Sequence, residues 1–273
     1  MDNKCYNFET TNYLSGIFDK SIDATYVIFL DGNEKRKLNI ENQLKKYIPT
    51  KTVHILVNKG WRKCNKDKYI SNTAKDLVDC NITCFNHANK NNYNNILVLE
   101  DDFVFDKIDN KDITIINKFL KKNINNKLSF YLGTIPFIFL PYNTCIYRGI
   151  LNIYTHSVIY TKQLRNNILK YNYKKINCWD LFQNYYNFNK YYYYKPLCFQ
   201  TIEETENSKN WLVFSFIRTF WFKLVYLLNA DNDPKLFFQF IYIISYLITF
   251  LLICILLYIL KKIINLSYKN FFK

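Results

Sequence analysis

Short apolar runs alternate with segments of helical periodicity along most of the chain. The runs are rich in branched and aromatic residues, which predicts strands at 26–30, 52–57, 96–99, 128–132, 150–160 and 191–194. Apolar residues at helical spacing predict helices at 36–48, 70–88 and 112–120, and two more that begin at Thr161 and Trp179. This alternation predicts an α/β fold, with a mixed, mainly parallel sheet flanked by helices.

The pattern changes near residue 210, where long apolar stretches begin. The run 236–260 contains no charged residue, and Lys261 and Lys262 follow it directly. A helix of this length, at about 1.5 Å per residue, exceeds the roughly 30 Å hydrocarbon core of a bilayer. We therefore predict a transmembrane helix. The resulting organisation is a domain at 1–209, an interfacial segment at 210–235, the helix at 236–260 and a basic tail at 261–273.

The stretch 211–228 is aromatic and apolar, but Arg218 and Lys223 interrupt it. That composition favours an amphipathic helix lying in the membrane interface, and a second membrane span is the alternative. The first 20 residues are polar and carry no apolar signal-peptide core. We therefore expect a single-pass membrane protein with its large N-terminal domain on the cytosolic side. Basic residues lie on both sides of the span, so they do not define its orientation.

Composition narrows the classes of function. The chain has 37 Lys and Arg against 22 Asp and Glu, a formal net charge of +15, which favours anionic partners even if AT-rich coding contributes. Only five glycines are present, so a glycine-rich phosphate loop is excluded. No nucleic-acid-binding motif is recognised, and we expect no nucleic acid partner. The eight cysteines lack zinc-site spacing, and we expect free buried thiols in a reducing compartment.

Three consecutive acids, Glu100, Asp101 and Asp102, follow the predicted strand 96–99. Ligands of open α/β sheets bind beyond the carboxyl ends of the strands, where these acids would lie. Adjacent carboxylates repel one another, and a divalent cation would neutralise them. On extended backbone, Glu100 and Asp102 point to the same side and can share one ion, while Asp101 faces away. A solvated acidic turn is the alternative.

With these acids in place, the chain resembles the glycosyltransferase family that includes lipooligosaccharide and procollagen galactosyltransferases, family 25. The segment Leu99-Glu100-Asp101-Asp102 is similar to the family's Leu-Glu-Asp-Asp signature. The run 26–30, with Arg36 after it, resembles the opening strand and arginine-bearing helix of the family. Other similar segments occur in the family's order, so that the resemblance covers about residues 26–208: 84–88, 155–160, 179–181 and 195–200.

The resemblance implies a GT-A-like, Rossmann-type domain that uses Mn²⁺ or Mg²⁺. It implies transfer of a hexose such as galactose or glucose, with inversion, from a nucleotide sugar of the UDP-sugar type. The acceptor would be a hydroxyl of a glycan, protein or lipid. The implied metal ligands are Glu100 and Asp102, and Asp180 is the implied general base. The implied substrate-binding residues are Leu30, Asp31, Arg36, Asp101, His156 and Gln200.

Other interpretations of these residues stay open. Asp180 can be an acid favoured by a helix N-terminus, and His156 can be a core histidine. The same acids could serve a metal-dependent phosphotransferase or nuclease, which would need further acids for a second ion. The chain could also be a catalytically inactive, membrane-anchored α/β binding or scaffold protein. Such a protein would tolerate replacement of all three acids.

Overall fold

The computed structural model describes residues 5–201, 215–230 and 233–271. The predicted domain boundary at 209/210 and the start of the predicted interfacial segment, 211–214, lie outside the described residues. The described strands are β1 Tyr6–Asn12, β2 Ala24–Leu30, β3 Thr52–Asn58, β4 Asn95–Glu100, β5 Phe103–Phe105, β6 Ser129–Pro141, β7 Ile146–Thr161, β8 Lys190–Tyr193 and β9 Cys198–Gln200. The helices are α1 Glu34–Lys46, α2 Thr73–Lys90, α3 Asn110–Lys122, α4 Lys162–Leu169, α5 Trp179–Tyr186, α6 Ser215–Leu227 and α7 Lys235–Phe271, with a 3₁₀ turn at Tyr173–Lys175.

The large sheet has the strand order β1-β3-β2-β4-β7-β6-β8. Its centre, β3-β2-β4, is parallel, whereas β1 and β7 are antiparallel to the strands they flank. Strands β5 and β9 form a separate two-stranded sheet directly after the acids. The predicted mixed α/β class is confirmed. Strand β1 was not predicted because its residues are mostly polar, as expected of an edge strand with little burial.

Strands β2 and β4 hold the sheet between two cores. Residues Ala24–Phe29 of β2 are all buried, with alternate side chains pointing to opposite faces. On one face, Tyr26 and Ile28 pack with α2, α4 and α5. On the other face, Val27 and Phe29 pack with α1 and α3. Burial on both faces explains why the central strands are continuous apolar runs. It also fixes the position in the sheet at which β4 ends and the three acids begin.

Side chains define the first turns of the helices that border the acids. Asn33 caps α1 by accepting a hydrogen bond from the backbone N–H of Arg36. Helix α3 begins with a capping box of Asp109 and Asp112. The cap at Asn33 sets the start of α1, and it therefore sets the direction in which Arg36 leaves the helix.

Helix α7 is both part of the folded domain and the candidate membrane span. One stripe of its first four turns is buried, mainly against β6: Phe237, Phe238, Ile241, Tyr242, Ser245 and Thr249. Beyond that stripe, 250–265 is exposed. By length and composition, Lys235–Asn265 can cross a membrane. The predicted C-terminal apolar helix is therefore present, but its first four turns pack against the α/β domain.

Candidate functional site

The three acids lie at the carboxyl end of the parallel part of the sheet. Glu100 is the last residue of β4, and Asp101 and Asp102 form the turn that leads into β5. The neighbouring parallel strand β2 ends at Leu30, whose backbone N–H donates to Asp101 Oδ2 at 3.2 Å. The turn is thereby fixed to the end of β2, at the sheet edge where open α/β sheets bind their ligands.

Arg36 joins two of the acids. Its Nη1 atom lies 3.2 Å from Asp101 Oδ1 and 2.7 Å from Asp102 Oδ2, and the side chains are largely buried. One turn further along α1, the Asn39 amide donates to the backbone carbonyls of Asp101 and Phe103 at 3.1 and 2.9 Å. Burial raises the pKa of Asp101, and the Arg36 charge opposes that rise. Two side chains of α1 therefore hold the acidic turn, one through the backbone carbonyls of the turn and the other through its carboxylates.

Asp102 also contacts β9. The Gln200 amide Nε2 donates to Asp102 Oδ2 at 2.8 Å, because pairing of β5 with β9 sets Gln200 opposite Phe103. Within the described part of the chain, Asp102 Oδ1 and Gln200 Oε1 are buried oxygens without a hydrogen-bond partner. A buried acceptor of this kind is unfavourable unless a cation or a donor group reaches it.

A second pair of acids lies beside the first. The Thr155 hydroxyl donates to Asp180 Oδ1 at 2.6 Å and lies 3.5 Å from Glu100 Oε1. Burial raises the pKa of Glu100 to about 8, and the neighbouring charges of Asp180 and Asp101 add to the rise. Burial also raises the pKa of Asp180, against the hydrogen bonds from Thr155 and the Tyr154 N–H. Two carboxylates that share one hydroxyl in a buried setting favour bound protons or a cation.

Tyr154 has an unusual backbone. Its φ angle is 67°, in the left-handed region that bulky residues rarely adopt. The conformation occurs in β7 just before Thr155, and it lets the Tyr154 N–H donate to Asp180 Oδ2 at 3.0 Å. Such strain is typically retained at functional sites because the surrounding contacts enforce it.

Seven of the nine predicted site residues therefore form one connected group, which we call the acid strip. Its members are Leu30, Arg36, Glu100, Asp101, Asp102, Asp180 and Gln200, and Thr155 links Glu100 to Asp180. In the sequence, Thr155 was identified only as part of a segment similar to the family. Neither Asn39 nor the backbone of Tyr154 was predicted to belong to the site. The spacing of Asn39 three residues after Arg36, on one helix face, was the available signal.

Asp31 and His156 lie near the acid strip, but their described contacts are with other residues. Asp31 is exposed, and its backbone N–H donates to the carbonyl of Asn58. His156 is fully buried, with Nε2–H donating to the Cys198 carbonyl at 3.1 Å and its ring against Phe238. Burial lowers the pKa of His156 to about 4, so the ring is neutral at pH 7. These contacts match the core histidine alternative, except that Nδ1 is buried without a hydrogen-bond partner among the described residues.

The acid strip can bind a hard cation only if groups from outside the protein supply the remaining ligands. Across residues 5–201, 215–230 and 233–271, no three His, Cys, Asp or Glu side chains converge as a metal cage. Glu100 and Asp102, predicted to share an ion, have different neighbours, Asp180 and Arg36 respectively. Mg²⁺-like ions usually bind one or two carboxylates and complete their shell with phosphate and water. The unpartnered oxygens of Asp102 and Gln200 suit such a site, so the predicted ligand pair stays a prediction.

One cysteine expectation is wrong. Cys5 and Cys64 form a disulfide, because antiparallel pairing of β1 with β3 brings the start of β1 to the loop that follows β3. A separation of 59 residues gave no sequence signal for this pair. The other six cysteines are free thiols, three of them buried. A disulfide is characteristic of oxidising compartments, whereas free thiols are characteristic of reducing ones.

No protein-family model matches the chain, and no curated protein matches it by sequence. The class that the fold defines is a mixed α/β protein with a C-terminal helix able to cross a membrane. A function must therefore be argued from the acid strip itself.

Proposed function

We propose that this chain is a metal-dependent glycosyltransferase that moves a hexose from a nucleotide sugar to an acceptor hydroxyl, with inversion. One observation carries the proposal: at the carboxyl end of the central parallel strands, Asp101 and Asp102 contact Arg36 and Gln200, and Thr155 joins Glu100 to Asp180. A nucleotide-sugar donor presents a diphosphate, for which a buried arginine and a carboxylate-bound cation are suitable partners. The sequence resemblance to family 25 supports the same activity.

The residues have distinct roles in this proposal. Glu100 and Asp102 would hold Mn²⁺ or Mg²⁺, and the ion would supply Lewis-acid stabilisation of the leaving diphosphate. Asp101 keeps Arg36 in place, and the guanidinium group is directed to the same end of β4. Gln200 orients Asp102 through its amide. Arg36 and the bound cation would favour the negative charge that develops on the leaving group, since both would already be in place.

Asp180 is the proposed general base. Its two oxygens are oriented separately, by the Thr155 hydroxyl and the Tyr154 N–H. Burial raises the pKa of Asp180, so its carboxylate is a stronger base than an exposed aspartate. In an inverting transfer, this carboxylate takes the proton from the acceptor hydroxyl as that oxygen attacks the anomeric carbon. The acceptor can be a glycan, protein or lipid.

The test is turnover by the full chain in detergent. Purified protein is offered a panel of UDP-sugars with Mn²⁺ and simple acceptors, and release of UDP and formation of the glycoside are measured. We expect one donor to be used, and we expect Asp180→Asn to lower turnover by at least about 100-fold, as for loss of a general base. Asp67→Asn is the matched control, because Asp67 is an exposed acid whose side-chain ion pair is with Lys174. Equal turnover by both variants would contradict the role of Asp180.

A catalytically inactive binding or scaffold protein is the second candidate. Arg36 already neutralises Asp101 and Asp102, as in a purely structural ion-pair group. This candidate predicts a folded, membrane-bound protein that uses no donor in the panel, and whose partner binding survives replacement of Glu100, Asp101 and Asp102 together. Donor turnover that needs Asp102 would exclude it.

A further inference from the structure

Helix α7 leaves the domain at a definite level. Phe238 packs on Phe199 and His156, next to the acid strip, and two turns later Tyr246 packs on Phe139 and Tyr147 of the β6–β7 hairpin. Over residues 235–265 of α7, the last buried residue is Thr249, and the exposed apolar surface then continues to Asn265. Near Tyr246, therefore, the helix stops packing on the domain and becomes exposed on all sides.

The apolar length beyond this level matches a bilayer. Helical residues 247–265 span about 28 Å at 1.5 Å each, close to the roughly 30 Å hydrocarbon thickness. Lys261 and Lys262 fall within about a turn of the far end, where long basic side chains can extend to the interface. On this spacing, one face of the bilayer lies at Tyr246 itself.

Three exposed tyrosines lie on α7 at this level, just after β8 and in the β6–β7 turn, and we call them the tyrosine collar: Tyr246, Tyr194 and Tyr142, the last with its ring against Phe119 and Tyr191. The Tyr246 hydroxyl donates to the Tyr194 carbonyl at 3.4 Å, and the Tyr194 N–H donates to the carbonyl of Cys145 in the hairpin turn. Tyr142 belongs to the same turn. The collar is thus continuous from α7 to the tip of the β6–β7 hairpin.

The hairpin turn itself is uncharged and partly apolar. Its sequence from Leu140 to Cys145 contains no Asp, Glu, Lys or Arg, and Leu140 and Tyr142 are 44% and 46% exposed. Lys195 follows Tyr194 in the chain, and its ammonium group forms an ion pair with Asp112 at 3.0 Å and lies 6.0 Å from the Tyr194 ring. Exposed tyrosines with nearby basic residues are the composition found at membrane–water interfaces.

We propose that the tyrosine collar and the β6–β7 hairpin turn lie in the headgroup region of a lipid bilayer. The collar is then a second membrane contact besides the span of α7, and it fixes the orientation of the domain. Along α7, Phe238 and Tyr246 are about 12 Å apart, so the acid strip is held at roughly that height above the membrane surface. The proposal depends on α7 spanning the bilayer, and it does not depend on the glycosyltransferase activity.

Depth measurements on the full chain test this contact. A fluorescent NBD label is attached through Thr144→Cys in a chain that carries Cys145→Ser, Cys178→Ser and Cys254→Ser, reconstituted in phosphatidylcholine vesicles. The matched control is Leu14→Cys in the same background. Leu14 is a fully exposed leucine near β1, at the opposite edge of the sheet. Five strand spacings separate β1 from β6, which is about 24 Å.

We expect lipids with a spin label just below the headgroup to quench the Thr144→Cys label at least about twofold more strongly than the Leu14→Cys label, as for an interfacial position. Tyr142→Asp should reduce the quenching at position 144, since a charge disfavours that depth, whereas Leu14→Asp should not. Equal, weak quenching at both positions would overturn the proposal. A label at 144 shielded from both lipid quencher and aqueous iodide would also overturn it and would indicate a second protein copy there.

Discussion

Phe238 provides the most direct test that the membrane helix is part of the folded domain. Its side chain is fully buried, and its ring lies 5.4 Å from that of Phe199 and 5.7 Å from that of His156. Truncating a buried phenylalanine to alanine typically costs about 3–5 kcal/mol, through lost burial and the cavity left behind. For a domain of about 200 residues, each kcal/mol lowers Tm by about 2–4 °C. We therefore expect Phe238→Ala to lower the Tm by at least about 6 °C.

The matched control is Phe250→Ala in the same helix. Phe250 is 67% exposed and follows the last buried residue of α7. In detergent its removal should leave the unfolding temperature of the domain unchanged to within about 2 °C, because surface substitutions usually change stability by at most about 0.5 kcal/mol. Thermal unfolding of the two full-length variants is followed by near-UV circular dichroism. If both unfold at the wild-type temperature, α7 does not support the domain and the argument fails.

Three further predictions follow from the structure. Burial and the nearby His87 lower the pKa of His54 to about 4, so stability should fall as the pH drops from 6.5 towards 4, and His54→Gln should flatten that part of a Tm-against-pH curve. Reduction of Cys5–Cys64 should destabilise the domain by up to about 4 kcal/mol in a urea titration, an effect that reductant cannot produce in Cys5→Ser. A chain that ends at Phe250 should stay folded but should no longer pellet with membranes. A chain that ends at Asp233 should unfold at a lower temperature, because it lacks the buried stripe of α7. Equal stability of the two chains would show that this stripe does not stabilise the domain.

Much of the fold follows from patterns that the sequence exposes locally. Strand β4 and helix α2 are strongly periodic or continuously apolar because they are buried along their length, so their positions are predictable. Strand β1 is not predictable from its sequence because it is a polar edge strand. Strands β5 and β9 are not predictable because each is only three residues long. Their pairing is long-range, and no local pattern encodes it.

The acid strip is predictable only in part for the same reason. The sequence places Glu100, Asp101 and Asp102 at a strand end, because the apolar run stops there. It does not reveal that Asp102 turns to Arg36 while Glu100 turns to Asp180, because the backbone leaves extended conformation after Glu100. The assumption of alternating side chains over all three acids fails at that turn. The left-handed backbone of Tyr154 likewise depends on tertiary contacts.

The central claim is that the acid strip binds a divalent cation together with the diphosphate of a sugar donor. Titration calorimetry of UDP into the full chain, with and without Mn²⁺, measures this most directly. We expect Mn²⁺ to tighten UDP binding at least about tenfold, or 1.4 kcal/mol, in the wild type. Asp102→Asn should abolish this gain, whereas Asp67→Asn should keep it. UDP binding that is equally tight without Mn²⁺, or a gain that is unchanged in Asp102→Asn, would show that the acid strip does not bind the cation and the diphosphate together.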